Sequence, residues 1–296
     1  MALFDSHSPT VSRRRFLKAG LCSAAVLAFY SGVIERHWIE ITQRDIFLSR
    51  LPGVFNGFRI VQLSDIHMDE YTEPTFLRQV IDKANRIEPD AVFLTGDYVT
   101  SGLGSRGFAH RAAWQCAGIL SELKCKQRFA VLGNHDVLVG GRQVTAALAA
   151  NSITLLRNAY LPIERNGGRI WLAGLDDPVN GSPKPELAIP VPIRNVPNEP
   201  IVLLCHAPDY ADQLLEHAPG QAVDLMLSGH THGGQIRLPL LGALELPDLG
   251  KKYVEGWFRL GGLQLYVNRG IGAVGLPFRL DCPPEITVFT LRKSEA

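Results

Sequence analysis

Short apolar runs recur along the chain, and several end in residues able to bind metal. Arg59-Ile60-Val61-Gln62-Leu63 runs into Ser64-Asp65-Ile66-His67. Ala91-Val92-Phe93-Leu94-Thr95 runs into Gly96-Asp97, and Phe129-Ala130-Val131-Leu132 into Gly133-Asn134-His135-Asp136. Ile201 to Cys205 meets His206, and Asp224 to Ser228 meets Gly229-His230-Thr231-His232-Gly233-Gly234-Gln235. Runs of this length bounded by glycine predict buried strands. In open α/β sheets, ligands gather beyond the carboxyl ends of strands. The pattern therefore predicts one sheet edge carrying Asp65, His67, Asp97, Asn134, His206, His230 and His232. His230 and His232 alone fit a polar turn equally well; the recurrence upstream turns them into metal ligands.

Between these runs the periodicity changes. Pro74 to Arg86 has helical spacing, with Phe76, Leu77, Val80, Ile81 and Ala84 on one face and Pro74 in the first turn. Further helices are predicted over about 110–123, 143–150 and 208–217. An edge strand is predicted within 38–48, short strands near 153–156, 160–164 and 169–174, and closing strands near 263–268 and 285–291. Residues 101–109 form a glycine-rich connection without phosphate-loop spacing. The stretch 176–200, with seven prolines, predicts a loop without helix or strand. The segment 238–247, apolar and broken by proline and glycine, either packs on the body or forms an apolar rim that meets lipid or an apolar substrate group.

The N-terminus differs from the rest. Ser12-Arg13-Arg14-Arg15-Phe16-Leu17-Lys18 followed by apolar Ala19 to Ile34 resembles a twin-arginine export signal. Residues 1–34 are thus expected to be a signal peptide or an N-terminal membrane anchor, and 35–296 the functional domain. The expected location is the periplasm or the outer face of the cytoplasmic membrane, with the twin-arginine export machinery as a partner and a membrane surface as another.

Net charge is +1, but outside the first 18 residues the chain carries 26 basic and 28 acidic residues. That leaves no broad nucleic-acid surface. The 46 % hydrophobic fraction suits an α/β enzyme with a large core. Five cysteines lack Cys-x-x-Cys spacing, so zinc ribbons, thiol redox motifs and c-type haem are unsupported. Cys205 is expected to be a small buried hydrophobe; Cys116 and Cys125 are open to pairing. His110 and His217 are expected to be surface or helix residues. A redox enzyme lacks both cysteine and flavin signatures.

The ordered set Asp65-x-His67, Gly96-Asp97, Gly133-Asn134-His135-Asp136, His206 and Gly229-His230-Thr231-His232 resembles the calcineurin-like metallophosphoesterase superfamily, over roughly residues 57–291. Asn268-Arg269-Gly270-Ile271-Gly272 and Pro283-Pro284-Glu285-Ile286 are similar to its bacterial, often exported branch. The resemblance implies an α/β (α+β) fold: a two-sheet β-sandwich flanked by helices. It implies that Asp65, His67, Asp97 and His232 hold one metal, that Asp97, Asn134, His206 and His230 hold a second, and that Asp97 bridges them. Two divalent ions would share a bridging hydroxide for in-line attack on a phosphoester. Nitrogen and oxygen ligands suit Mn, Fe or Zn.

His135, next to Asn134 but outside the ligand set, is the expected proton donor to the leaving group. Asp136 either orients His135 or caps the next helix. The implied activity is a metal-dependent phosphohydrolase, specifically a phosphodiesterase. The alternatives are a lipid-linked pyrophosphate or phospholipid hydrolase at the membrane surface, and a non-catalytic metal-binding interaction module. Specificity is expected from loops 68–73, 98–109, 176–199 and 238–252.

Overall fold

The apolar runs become strands of two six-stranded sheets. The computed structural model describes residues 12–68, 71–102 and 106–294. Residues 1–11 of the expected leader, and Leu103 and Gly104 of the glycine-rich connection, lie outside them. Helix α1 (Arg13–Phe29) continues through a π turn and a 3-10 turn to His37. Strands β1 (Glu40–Leu48) and β2 (Arg59–Leu63) precede α2 (Pro74–Ile87) and β3 (Ala91–Leu94). Then come α3 (Arg106–Leu120), β4 (Arg128–Ala130), α4 (Asn134–Ala150) and β5 (Thr154–Leu155). The β6 (Ala159–Arg165) and β7 (Gly168–Gly174) hairpin opens the second half, followed by α5 (Pro185–Ala188) and β8 (Ile201–Leu204). Two short helices, α6 (Tyr210–Leu215) and α7 (Ala218–Gln221), lead to β9 (Leu225–Ser228). Hairpins β10 (Arg237–Leu238)/β11 (Gly242–Ala243) and β12 (Gly256–Leu260)/β13 (Leu263–Val267) precede β14 (Glu285–Lys293).

Sheet one has the order β1-β14-β2-β3-β4-β5 and sheet two β12-β13-β9-β8-β7-β6. The central strands β2, β3 and β4 run parallel, as do β8 and β9. The strands ending in ligand motifs therefore point the same way within each sheet. β14 inserts beside β2 and joins the chain's end to its start, pairing Ile286 with Ile41.

Side chains from both sheets, among them Ile60, Phe93 and Phe289 from one and Leu172, Leu204 and Leu227 from the other, fill the space between them. Each such side chain contributes about 1.5–3 kcal/mol on leaving water. The predicted face of α2 is buried against the outside of sheet one, together with α3 and α4. A third apolar cluster covers the outside of sheet two.

Several elements differ from expectation. α4 begins at Asn134, not near 143, because Gly133 is its N-cap and the Asp136 carboxylate accepts the Gly133 N–H at 2.9 Å. Gly140, at φ 130°, kinks it. α3 starts at Arg106, inside the stretch expected to be loop. The proline-rich stretch carries helical turns at Pro185–Ala188 and Val191–Ile193, since proline suits a first turn. The 238–247 segment is part of the β10/β11 hairpin, and β12 is a strand that alternation did not reveal. Cys116 and Cys125 are both free, and Cys205 is buried.

Candidate metal centre

The motif strands bring the seven expected ligand residues together at one end of the sandwich. Asp65, His67 and His232 form one group able to hold a metal ion, Asp97, His206 and His230 another, and His67, Asp97 and His135 a third that overlaps the first two. Asn134 joins the second through its Oδ1, 3.2 Å from His206 Nε2. Asp97 Oδ2 lies between the groups, 3.2 Å from His206 Nε2 and 3.5 Å from His67 Nε2.

The backbone bends sharply to achieve this. Asp65, His67, Asp97, His230 and His232 all have positive φ, between 47° and 74°. Residues with a Cβ adopt this conformation at a cost of roughly 1–3 kcal/mol each, and such strain collects at functional sites. The glycines before the ligands serve close approach. A Cβ at Gly133 would collide with Asp97 Oδ1, and one at Gly229 with Ser64 and Asp65.

Tautomers follow from the carbonyls behind the rings. His206 Nδ1 donates to Thr95 O at 2.7 Å, and His230 Nε2 donates to Asp248 O at 2.8 Å. Their other nitrogens approach each other at 3.2 Å. Neutral rings would thus aim lone pairs at one another, at Asp97 Oδ2 and at Asn134 Oδ1, so this donor set calls for a cation. Without metal, a proton takes its place. Burial acts to lower the His206 pKa, but the Asp97 carboxylate beside it pushes it up to about 10. Burial acts to raise Asp97, and the charges on His206 and His135 nevertheless hold it well below the usual range. Burial, with the charge on His206, pushes His230 down to about 4. Burial first, then neighbouring cationic groups, also lowers His67 and His232. His67 Nε2 and His232 Nε2 lie 3.0 Å apart, and His232 Nε2 lies 3.5 Å from Asp65 Oδ1. Deprotonated imidazoles, carboxylates and an amide oxygen fit divalent ions of the Mn, Fe or Zn type.

His135 lines the adjoining cavity of about 390 Å³ with Asp97, Asn134, His230 and His232. Its Nδ1 accepts the Ser101 N–H at 2.9 Å and lies 2.8 Å from the Ser101 hydroxyl. The neutral ring therefore carries its proton on Nε2. Asp136 does not orient this ring. Its carboxylate accepts the N–H groups of Gly133, Asp97 and Tyr98 at 2.8–2.9 Å, so it caps α4 and ties the Asp97 turn to that helix. His110 contacts the Val139 carbonyl and His217 precedes α7, both apart from the ligand groups.

Supporting residues went unforeseen. Ser101 holds His135, Thr100 Oγ1 sits 3.0 Å from His67 Nδ1, and buried Arg279 places Nη2 3.4 Å from His232 Nδ1. Only the position of Thr100 and Ser101 just after Gly96-Asp97 hinted at such roles. The cavity wall draws on the expected 238–252 loop, and also on Val274, Gly275 and Leu276, which carried no signal; 176–199 contributes none of its lining.

The chain is similar to known proteins. Residues 58–234 match the family model described as calcineurin-like phosphoesterase. The metallophosphoesterase YkuE of Bacillus subtilis is 37 % identical over 96 % of this chain and 99 % of its own. Phosphodiesterase YaeI of Escherichia coli is 33 % identical over 95 % of this chain and 99 % of its own. A Danio rerio transmembrane protein with a metallophosphoesterase domain is 30 % identical over 93 % of this chain and 62 % of its own. In fold, the chain resembles the sulfate thiohydrolase SoxB of Thermus thermophilus, with a TM-score of 0.51 at 15 % identity, over 82 % of this chain and 57 % of that one. With a family model spanning the motif strands and relatives alike from end to end, this chain belongs to the calcineurin-like phosphoesterase family and is a metallophosphoesterase.

Proposed function

We propose that the protein is a phosphodiesterase with a two-metal centre, exported by the twin-arginine route and working outside the cytoplasmic membrane. Asp65, His67, Asp97 and His232 would hold one ion; Asp97, Asn134, His206 and His230 the other. The observation that carries this reading is the position of Asp97 Oδ2 between His67 and His206, where one carboxylate oxygen is within reach of both groups. Divalent ions there supply Lewis acidity, offset charge on phosphoryl oxygens and lower the pKa of water enough to give a nucleophile near neutral pH.

The chain's own residues do the rest. Asp97 is steadied for this position by the His135 N–H on Oδ1, at 2.9 Å. The Thr95 and Asp248 carbonyls fix the ring faces that His206 and His230 present. As imidazolium, His135 would give its Nε2 proton to the departing oxygen and return to the neutral ring, which Ser101 holds. The name of the relative YaeI supports a diester over a monoester. The arginine-rich start of α1 and the apolar helix behind it support export. Residues 1–34 then serve as signal or anchor, and 35–296 as the hydrolase domain.

The test is hydrolysis of bis-p-nitrophenyl phosphate and p-nitrophenyl phosphate with Mn²⁺ and with chelator. Chelator-sensitive cleavage favouring the diester is expected. Cleavage that persists under chelation sinks the metal reading. A folded, two-metal protein that turns over neither ester favours the interaction-module alternative.

A further inference from the structure

A single hairpin separates the metal cavity from the N-terminal helix. β10 and β11 pair Arg237 with Ala243 and Leu238 with Gly242. On one side, Ile236 and Leu244 line the metal cavity, along with Leu276. On the other, Leu238 and Pro239 face Leu27, Tyr30 and Trp38 across a second hollow. At the tip Leu240 is fully exposed and Leu241 is 78 % exposed. Leu244 and Leu276, on the rim of the metal cavity, are each more than half exposed. An apolar patch of this kind on a protein surface marks a contact with something else.

The helix says what that something is. Arg13–His37 is helical for 25 residues and apolar enough to cross a membrane. Its outer part, α1 (Arg13–Phe29), buries no residue and at 1.5 Å per residue runs about 25 Å, most of the roughly 30 Å hydrocarbon core of a bilayer. Phe16, Leu17, Leu21, Val26 and Phe29 are all exposed along it. Its far end is built into the body. Ser31 and Glu35 are buried; the Arg279 N–H donates to Ser31 O at 3.0 Å, and the Cys282 N–H to Glu35 Oε1 at 2.6 Å. Gly32 lies so close to Phe278 that a Cβ would touch its ring. The hairpin is thereby held beside the helix instead of hanging from a free tether.

We propose that the Leu240–Leu241 tip enters a phospholipid surface next to α1. The mouth of the metal cavity then opens at that surface and takes an amphiphilic phosphoester, whose alkyl chain leaves along Leu244 and Leu276. The substrate half of this inference rests on the phosphohydrolase reading; the lipid contact does not.

The full-length chain is reconstituted in vesicles of phosphatidylethanolamine and phosphatidylglycerol. In Leu241→Trp, the added emission is expected to shift to the blue and to be quenched by lipids carrying a spin label near the headgroup. Emission typical of water and unaffected by the label overturns the lipid contact, whatever the enzyme's activity. In Leu240→Ser/Leu241→Ser, hydrolysis of soluble bis-p-nitrophenyl phosphate is expected to stay within about twofold of the parent. Hydrolysis of a long-chain alkyl p-nitrophenyl phosphate in the same vesicles is expected to fall about tenfold. Equal rates for parent and variant on that ester overturn the substrate half. So does a parent that cleaves neither ester, and the quenching result then still decides the lipid contact.

Discussion

The two sheets meet at the metal centre with different chemistry. Sheet one contributes Asp65, His67, Asp97 and Asn134: two carboxylates, an amide and one imidazole. Sheet two contributes His206, His230 and His232, imidazoles only. Neither edge makes a complete site. Sheet one alone has the charge but too few donors, and sheet two alone has donors without charge. Two of the ligand groups draw on both edges, His232 with Asp65 and His67, and His206 with His230 and Asp97, while His67, Asp97 and His135 come from sheet one alone. The seam is sewn by direct bonds: the His206 ring to Thr95 O, the His230 N–H to Asp65, and the Gln62 amide to Ser228 O. If these residues hold metal as proposed, metal affinity is expected to report on the packing of one sheet against the other, through the apolar layer between them.

The harshest way to break this symmetry is Asp97→Ala. It removes the oxygen shared by both groups, so bound metal is expected to drop from two ions toward none and diester hydrolysis by on the order of 10³-fold or more. His206→Ala takes a donor from sheet two only, and should leave one ion measurable by elemental analysis. Retention of both ions in Asp97→Ala would refute the shared position.

His135→Ala leaves all seven proposed ligand residues in place. Its metal content should be unchanged while kcat falls by about 10²-fold or more. The loss should shrink with substrates whose leaving group needs no proton, and an equal loss for good and poor leaving groups would count against the proton-donor role.

Stripping the metal exposes the electrostatic contrast. His67, His230 and His232 then sit below the usual histidine range, His230 at about 4. Their neutral forms favour the folded state fully above pH 6.5, and this contribution is lost as pH falls below that range, for His230 through about 4. His206, at about 10, acts in the opposite sense: its contribution is complete below 6.5 and fades as pH rises through 10. Stability of the metal-free protein should therefore peak near neutral pH and fall on both sides, by up to ~1.4 kcal/mol per pH unit for each group. Calorimetric midpoints that rise or fall in one direction only would contradict this.

The mildest change is Ser101→Ala. It removes a hydroxyl from His135 but keeps the backbone N–H, so a few-fold loss in kcat is expected, in line with about 0.5–1.5 kcal/mol for one hydrogen bond. The loss should come with a shifted basic limb in the pH–rate profile and unchanged metal content. An unchanged profile would reduce Ser101 to packing.

Most of the strand pattern was legible because buried strands need continuous apolar side chains, and each ligand motif followed such a run. The face of α2 was legible for the same reason, through its helical spacing. The start of α4 was not, although Gly133 and Asp136 form its cap; Asn134 reads as a ligand and His135 as a proton donor, which masks the helix they begin. The turns in 185–193 were hidden by prolines that break most helices but suit a first turn. Arg279 carried no pattern at all and Ser101 only its place shortly after Gly96-Asp97, since a single polar residue has no period.

The sequence by itself determined that buried strands end in residue types able to bind metal, because side-chain identity and local periodicity are properties of the chain alone. Only the tertiary structure decided how closely these residues approach one another, which ring nitrogen each histidine presents, and that the apolar hairpin lies beside the N-terminal helix. Those depend on contacts between residues far apart along the chain, such as His230 with Asp65 and Glu35 with Cys282. Such contacts form only when the sheets close and the chain's two ends meet, through packing energies that no local stretch contains.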